Sequence, residues 1–577
     1  MEKQNVISSH LSPYARNRFQ TIANIFVFGI IMGLLMAFFA NLFVTTVSII
    51  SNYRDELKVF SIELLGSNLN YAPVITLIIA AFIINLLRTN FDIKRWNGPA
   101  DSIYAAHRTD NELDIKTGYL STLTALISAS GGASVGLYGP LVHLGGTIGT
   151  HIKILSKDLL STDVFLGCGV AGAISAGFGA PLAGIIFAHE AILRHFSMRA
   201  LAPIAIASFT ANAATQKIFP RPNVFDLEPA IPDLVSILPS TLICSPIFAI
   251  VAMLFMMSMR YAMKANLLLR IKPSILIYIG ALICGITGMF FPEILGLGTT
   301  PIAEMLGGNF PFLFVLSILV LKIAMTSICL GTGLFGGVFS PALFIGTASG
   351  SLLAKLFSIL GLYGAGTVLP LCGMAAIGGA IIGAPITAVL IILEITGSYQ
   401  LALSTMASVA GCCLITHLFF GHSFFDRQLI DRGINIHLGR GHLKLMEEPV
   451  SSYTSTKFAK IGLKVTSGNA VKQLLSENFT EGYLVDDKDQ FYGKVLITDL
   501  VKAEKDSPAI EQKENGSLSL ASDFSVLQSI EACRNFVGES IPVIDEKSHT
   551  IIGIISEADL FSAYLDLDKQ IKDLENG

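Results

Sequence analysis

The chain has 577 residues, 52% of them hydrophobic and only 14% charged, with a formal net charge of −4. Its charges are unevenly spread: 14 basic and 23 acidic residues follow Arg440, leaving 25 basic and 20 acidic in the 440 residues before it. A charge-poor, apolar first part and a charge-rich, acidic tail exclude a nucleic-acid binder and a secreted disulfide scaffold, and they point to a membrane-embedded region followed by a soluble one.

Met1 to Gln20 is polar, and the apolar run that begins at Thr21 exceeds signal-peptide length, so that segment is expected to stay in the protein. Runs suited to crossing a bilayer, which takes about 20 apolar residues, cover Thr21–Ile50, Tyr71–Leu87, Ser236–Met263, Ser274–Phe291, Pro311–Leu330 and Leu401–Phe420. Between them, Ile127–Thr150, Gly167–Ile192, Gly331–Phe357 and Gly373–Leu393 are apolar but interrupted by Gly and Pro. Backbone freed by such residues has to be buried in protein or line an aqueous path, because lipid satisfies neither N–H nor C=O. This pattern predicts a transporter or channel with broken helices. Lys3, Arg16 and Arg18 ahead of the first span predict a cytoplasmic amino terminus, with the tail on the same side. The eight cysteines form no C-x-x-C pair, and seven lie in apolar runs, so they are read as small core residues.

An internal repeat organises the apolar part. Gly136-Leu137-Tyr138-Gly139-Pro140, followed by Gly145 and Gly149, matches Gly337-Val338-Phe339-Ser340-Pro341, followed by Gly346 and Gly350, at a constant offset of 201. Gly179-Ala180-Pro181 with Glu190 matches Gly383-Ala384-Pro385 with Glu394 at an offset of 204. Each first element sets glycine ahead of a proline expected to start a helix. Free amides and the positive end of the helix dipole at such a start favour an anion. Neither element contains Lys or Arg, which suits a site that releases its ion again. The competing reading is that the glycines merely let helices pack closely.

At these residues the sequence resembles the CLC chloride channel and transporter family, from about Asn24 to Ile436. Gly136–Pro140 resembles the family's G-R-E-G-P element and Gly337–Pro341 its G-x-F-x-P element. Gly421-His422-Ser423-Phe424-Phe425 resembles the stretch that carries the pore tyrosine, and Asn97-Gly98-Pro99-Ala100-Asp101 is a looser counterpart of G-S-G-I-P. The resemblance implies an all-α multi-span membrane protein with two inverted repeats (about 21–200 and 236–420, within 21–437) and broken helices, working as a homodimer in the cell membrane with one pore per subunit. It implies an anion path lined by Val338 and Phe339, by Tyr138, Gly139 and Pro140 on the outer side, and by Asn97, Gly98 and Phe425 on the inner side.

The departures from the family pattern decide the expected mechanism. The gating glutamate corresponds to Tyr138, the inner proton-transfer glutamate to Ala191, the pore tyrosine to Phe425 and the family serine to Asn97. A phenol titrates near pH 10 against about 4.3 for a glutamate, so Tyr138 does not carry protons in the same range. We therefore expect passive, proton-uncoupled movement of chloride or a similar small monovalent anion, with proton-coupled exchange by a non-glutamate path as the alternative. Tyr138 has two readings: a hydrogen-bond donor or partial plug in the outer pore, or a ring packed in the wall. His189 and Glu190, adjacent on a helix, point different ways and make a poor replacement relay. An enzyme finds no support, since the 11 histidines form no H-E-x-x-H pair, and no metal or required cofactor is expected.

In the tail, residues 446–505 and 518–570 form two similar units joined by the linker Lys505–Ser519. Gly493-Lys494-Val495-Leu496-Ile497-Thr498-Asp499-Leu500 parallels Gly553-Ile554-Ile555-Ser556-Glu557-Ala558-Asp559-Leu560. The pair resembles a soluble α/β tandem of cystathionine-beta-synthase (CBS) domains. That resemblance makes Thr498, Asp499, Ser556 and Asp559 candidate adenine-nucleotide contacts, against the alternative that each Asp is an ordinary helix cap.

Overall fold

The computed structural model describes residues 13–56, 61–64, 67–108, 113–156, 161–196, 198–219, 234–268, 271–360, 366–514 and 516–576. The chain forms two compact units, residues 1–106 with 110–433 and residues 107–109 with 434–577.

The first unit is helical apart from the short hairpin Ser61–Leu64 and Ser67–Asn70. Seven of its described helices are long and apolar enough to cross a membrane, from Ile22–Arg54 to Tyr399–Ile430. One of them, Phe339–Ile359, lies in a stretch expected to be broken. It runs unbroken because the break falls before it: the helix Phe312–Thr332 ends on Gly333 in the left-handed region (φ 105°), and the chain restarts at Phe339. The other half does the same at Gly132 (φ 101°), before the helix Tyr138–Leu155. Further along, Gly179 (φ 69°) and Gly383 (φ 78°) end helices just ahead of Pro181 and Pro385. The sequence repeat is thus a repeat of helix stops and starts.

Packing repeats with it. A Cβ on Gly145 would lie 2.3 Å from the Gly169 carbonyl oxygen, and one on Gly346 would lie 2.3 Å from that of Gly373. Each half therefore crosses its helices at backbone contact distance, a separation that small residues permit. Seven of the eight cysteines are buried and all eight are free thiols, in line with their reading as core residues.

The second unit carries two sheets of one plan. Ala459–Gly462 pairs in parallel with Glu481–Val485, which pairs antiparallel with Phe491–Leu496. Leu520–Ala521, Ile541–Ile544 and Ile551–Ile555 repeat that order, and the register slips in the middle strand of both, at Leu484/Val485 and at Val543/Ile544. Each sheet has its own apolar core, one around Ile461, Leu474 and Val495, the other around Val526, Val543 and Ile555. A buried polar network joins the two: Lys494 pairs with Glu481 and donates to the Ser540 carbonyl (2.9 Å), while the Tyr483 hydroxyl donates to Glu481 (2.9 Å). Burial is the main reason the Tyr483 phenol is pushed up from its ordinary pKa.

Candidate anion pathway

The two repeat elements meet directly. Gly136 and Gly337 exchange both backbone hydrogen bonds at 2.6 Å, forming an antiparallel bridge between the halves. A Cβ on Gly337 would sit 2.9 Å from the Gly139 nitrogen and from Pro140 Cδ, and one on Gly139 would sit 3.4 Å from Pro99 Cγ. Glycine at 136, 139 and 337 is what lets three chain segments converge there. The sequence reading expected Pro140 and Pro341 to begin their helices. The helices instead begin at Tyr138 and Phe339, which makes each proline the third residue, a place whose N–H also lacks an intrahelical partner.

Val338 and Phe339 are buried at this junction. Tyr138 is half-buried and stacks on Phe178 with ring centroids 3.7 Å apart and planes at 20°. Phe339 meets Tyr138 edge-on at 5.7 Å and Phe178 at 5.1 Å. A Cβ on Gly177 would lie 2.8 Å from Tyr138 Cε1, so that glycine makes room for the ring. The ring of Tyr138 thus packs against Phe178 and against Phe339 of the expected path.

The Asn97–Gly98 turn is held from below by Asp101. Gly98 N donates to its carboxylate (2.8 Å), and Arg95 (2.6 Å) and Arg432 (2.9 Å) pair with it. Arg432 follows the helix Phe424–Ile430, so Asp101 ties the Asn97 turn to the Phe425 segment. The Asn97 amide nitrogen donates to Ser121 Oγ (2.8 Å). Phe425 is buried in the first turn of its helix, capped by Ser423, whose hydroxyl accepts from Asp426 N (3.3 Å). Ala191 is buried in a π-helical turn, Ala188–Leu193. Its carbonyl accepts from Arg194 Nε (3.4 Å), and Arg194 pairs with Asp426, which links this turn to the Phe425 helix without a proton-carrying side chain at 191.

His189 and Glu190 diverge as expected. His189 stacks on Phe196 (5.0 Å), with Nδ1 against the His195 carbonyl (3.0 Å). Glu190 instead accepts from Ile386 N (2.9 Å), Thr387 N (2.8 Å) and the Thr387 hydroxyl (2.7 Å), and its repeat mate Glu394 accepts from Leu182 N and Ala183 N (both 2.8 Å). Each glutamate caps the helix that carries the other. This reciprocal exchange is what a two-fold relation between the halves requires, and the sequence reading used the pair only as an alignment mark.

Two further residues escaped the sequence reading. Lys322 is completely buried and donates to the carbonyls of Ile294 (2.8 Å) and Gly296 (3.0 Å), with its Nζ 5.1 Å from the Phe344 ring. Its signal was available, since it is the one charge between Pro311 and Leu330. Ser340 is buried, and its hydroxyl has no hydrogen-bond partner among the described residues.

In the tail, Asp499 and Asp559 occupy matching positions, third in the helices Ile497–Lys502 and Glu557–Asn576. Thr498 and Ser556 do not match. Ser556 lies just before its helix and its hydroxyl donates to Asp559 (2.7 Å), whereas Leu496 takes that place in the first of the two tail repeats and Thr498 already lies within the helix. Among the described residues the serine–aspartate pair is complete only in the second tail repeat.

Converging helix starts, reciprocal caps and a buried glycine bridge between two halves define a multi-span membrane transport protein. The family described as voltage gated chloride channel matches residues 76–417, and the chain belongs to this CLC family. The chain is 28% identical over 313 residues to the H(+)/Cl(-) exchange transporter ClcA of Vibrio vulnificus, a match spanning 52% of this chain and 67% of that relative. Its fold resembles that of a slow cyanobacterial Cl-/H+ antiporter (TM-score 0.63, 19% identity, 71% of this chain and 98% of the other). It also resembles that of a eukaryotic CLC transporter (TM-score 0.59, 15% identity), where the match reaches 93% of this chain and 98% of the other.

Proposed function

We propose that the chain conducts chloride or a similar small monovalent anion passively, without coupled proton movement, along a path from Asn97, Gly98 and Phe425 past Val338 and Phe339 to Tyr138, Gly139 and Pro140. The observation that carries this reading is Tyr138 held between Phe178 and Phe339 where the family resemblance puts the gating carboxylate. Ala191 offers no acid at the second proton position, and the nearby Glu190 is committed to the amides of Ile386 and Thr387. A proteoliposome assay with a pH electrode tests it: an outward chloride gradient is expected to release chloride without driving protons uphill. Uphill proton uptake abolished by protonophore would overturn the uncoupled reading.

Proton-coupled anion exchange is the second reading, favoured by the name of the Vibrio relative, an exchange transporter. The same assay separates the two.

We read the tail as a CBS pair, with both termini cytoplasmic and the whole chain a homodimer with one path per subunit. Adenine nucleotide is proposed for the second tail unit alone, where Ser556 and Asp559 sit together. Calorimetry on the full chain with ATP, ADP and AMP is expected to give heat that Asp559→Ala removes, and equal heats from both proteins would exclude that site.

A further inference from the structure

The helix Tyr399–Phe420 sets Cys413 and His417 four residues apart, which places both on one face. It stops at Gly421 (φ 94°), whose N–H donates to the carbonyls of His417 (3.0 Å) and Thr416 (3.3 Å). That left-handed residue turns the chain, and the His422 ring meets His417 edge-on, with centroids 5.9 Å apart and planes at 75°. Cys413, His417 and His422 line one cavity of about 160 Å³. That volume takes an ion together with bound water.

One thiol and two imidazoles are ligands for zinc and related transition metals rather than for calcium or magnesium. Two imidazoles on one tetrahedral ion, at metal–nitrogen bonds of about 2.0–2.1 Å, have centroids roughly 5 Å apart, so the His417–His422 pair has to close by only about 1 Å. Three neighbours suit the same ion. A carboxylate oxygen of Asp426 lies within 4.8 Å of a His422 ring nitrogen, and a carboxylate behind a metal-bound imidazole fixes which nitrogen faces the metal. The Glu190 carboxylate acts electrostatically on the Cys413 thiol and adds negative charge beside the cavity. The Thr416 hydroxyl also belongs to the lining and is only 3% exposed; among the described residues it finds no nitrogen or oxygen partner, and only the weakly bonding Cys412 thiol is in reach. Buried hydroxyls are otherwise almost always paired, and a water on the metal would supply that partner.

We propose that Cys413, His417 and His422 form a site for one divalent transition-metal ion of the zinc class, with water as the fourth ligand and Thr416 as the hydrogen-bond partner of that water. Loading the site exchanges the Cys413 S–H bond for a sulfur–metal bond and releases the proton to solvent. The site does not rest on the anion-path reading above. Its consequence bears on that path, because His422 immediately precedes Ser423, the cap of the helix that carries Phe425. A bound ion ties the end of the helix Tyr399–Phe420 to the start of that next helix and holds Phe425 in place.

Zinc and cobalt(II) are the probes, and the tag-free full chain in detergent, stripped with a chelator, is the material. Calorimetry with zinc is expected to give one ion per chain and a raised thermal midpoint. Cobalt is expected to give the visible spectrum of a tetrahedral ion together with a thiolate-to-cobalt charge-transfer band. Cys413→Ser removes that band, and His417→Ala and His422→Ala each weaken zinc binding about a hundredfold or more. Thr416→Val weakens it roughly tenfold, the size of effect that groups behind the ligands have. Zinc affinity equal to the parent's in well-folded His417→Ala and His422→Ala proteins would overturn the site, as would a cobalt spectrum without a thiolate band. The two histidine variants decide alone if Cys413→Ser fails to fold.

Discussion

Replacing Tyr138 by alanine is expected to raise chloride efflux about tenfold or more. The ring stacks on Phe178 and meets Phe339 edge-on, and each such pair contributes roughly 0.5–1.5 kcal/mol beyond its buried area. Opening a path closed by this cluster therefore costs about 1–3 kcal/mol, which holds the open fraction down by roughly fivefold to a hundredfold at 1.4 kcal/mol per decade. Alanine removes both contacts at once, whereas Tyr138→Phe keeps the rings and loses only the hydroxyl. Efflux that rises with alanine and stays put with phenylalanine identifies the ring as the barrier. A rise with both substitutions assigns the barrier to the hydroxyl. Unchanged rates and unchanged anion preference in the alanine protein would show that the ring is merely wall.

The second large effect falls on stability. Glu190→Ala strips the acceptor from Ile386 N, Thr387 N and the Thr387 hydroxyl, and Glu394→Ala strips it from Leu182 N and Ala183 N. A hydrogen bond to a charged group contributes about 1.5–3 kcal/mol when buried. The Ile386 and Leu182 bonds lie at the protein surface and only the others are partly buried, so the low end of that range applies, and about 2 kcal/mol is the expected loss for each variant. Thermal midpoints in detergent should fall for both single variants and fall further for the double one, because the two caps are separate sets of bonds. Glutamine at either position keeps one acceptor oxygen and loses about half as much. Since neither carboxylate is free to relay protons, the proton coupling of Glu190→Ala should match that of the parent. Midpoints equal to the parent's in both alanine proteins would show that the caps contribute nothing to stability.

Much of this arrangement was legible in the sequence. Gly136–Pro140 and Gly337–Pro341 mark where helices stop and restart, because a left-handed stop at Gly132 or Gly333 and a proline in the next first turn are local requirements of backbone geometry. That Tyr138 and Ala191 carry no carboxylate was legible as well, since a side chain's acidity is a property of its type, while an acid at those positions is expected only from the family resemblance. The repeat within the tail was also readable, but its alignment slipped at Thr498. A Gly-strand-hydroxyl-Asp pattern does not say whether the hydroxyl stands before the helix or inside it, and only the observed start at Ile497 corrects that.

The sequence by itself determined the membrane class, the twofold internal repeat and the absence of an acid at positions 138 and 191, all of which follow from residue type and local periodicity. Tertiary structure alone decided that Glu190 caps the helix of Glu394 and the reverse, that Phe178 stacks on Tyr138, and that the buried Lys322 donates to the carbonyls of Ile294 and Gly296. Those relations join residues far apart in the chain, and the energies that select them arise from burial and close packing, which a single segment does not encode. The low charge of the membrane part hid its most telling member, since a lone buried lysine acquires its meaning only from what surrounds it.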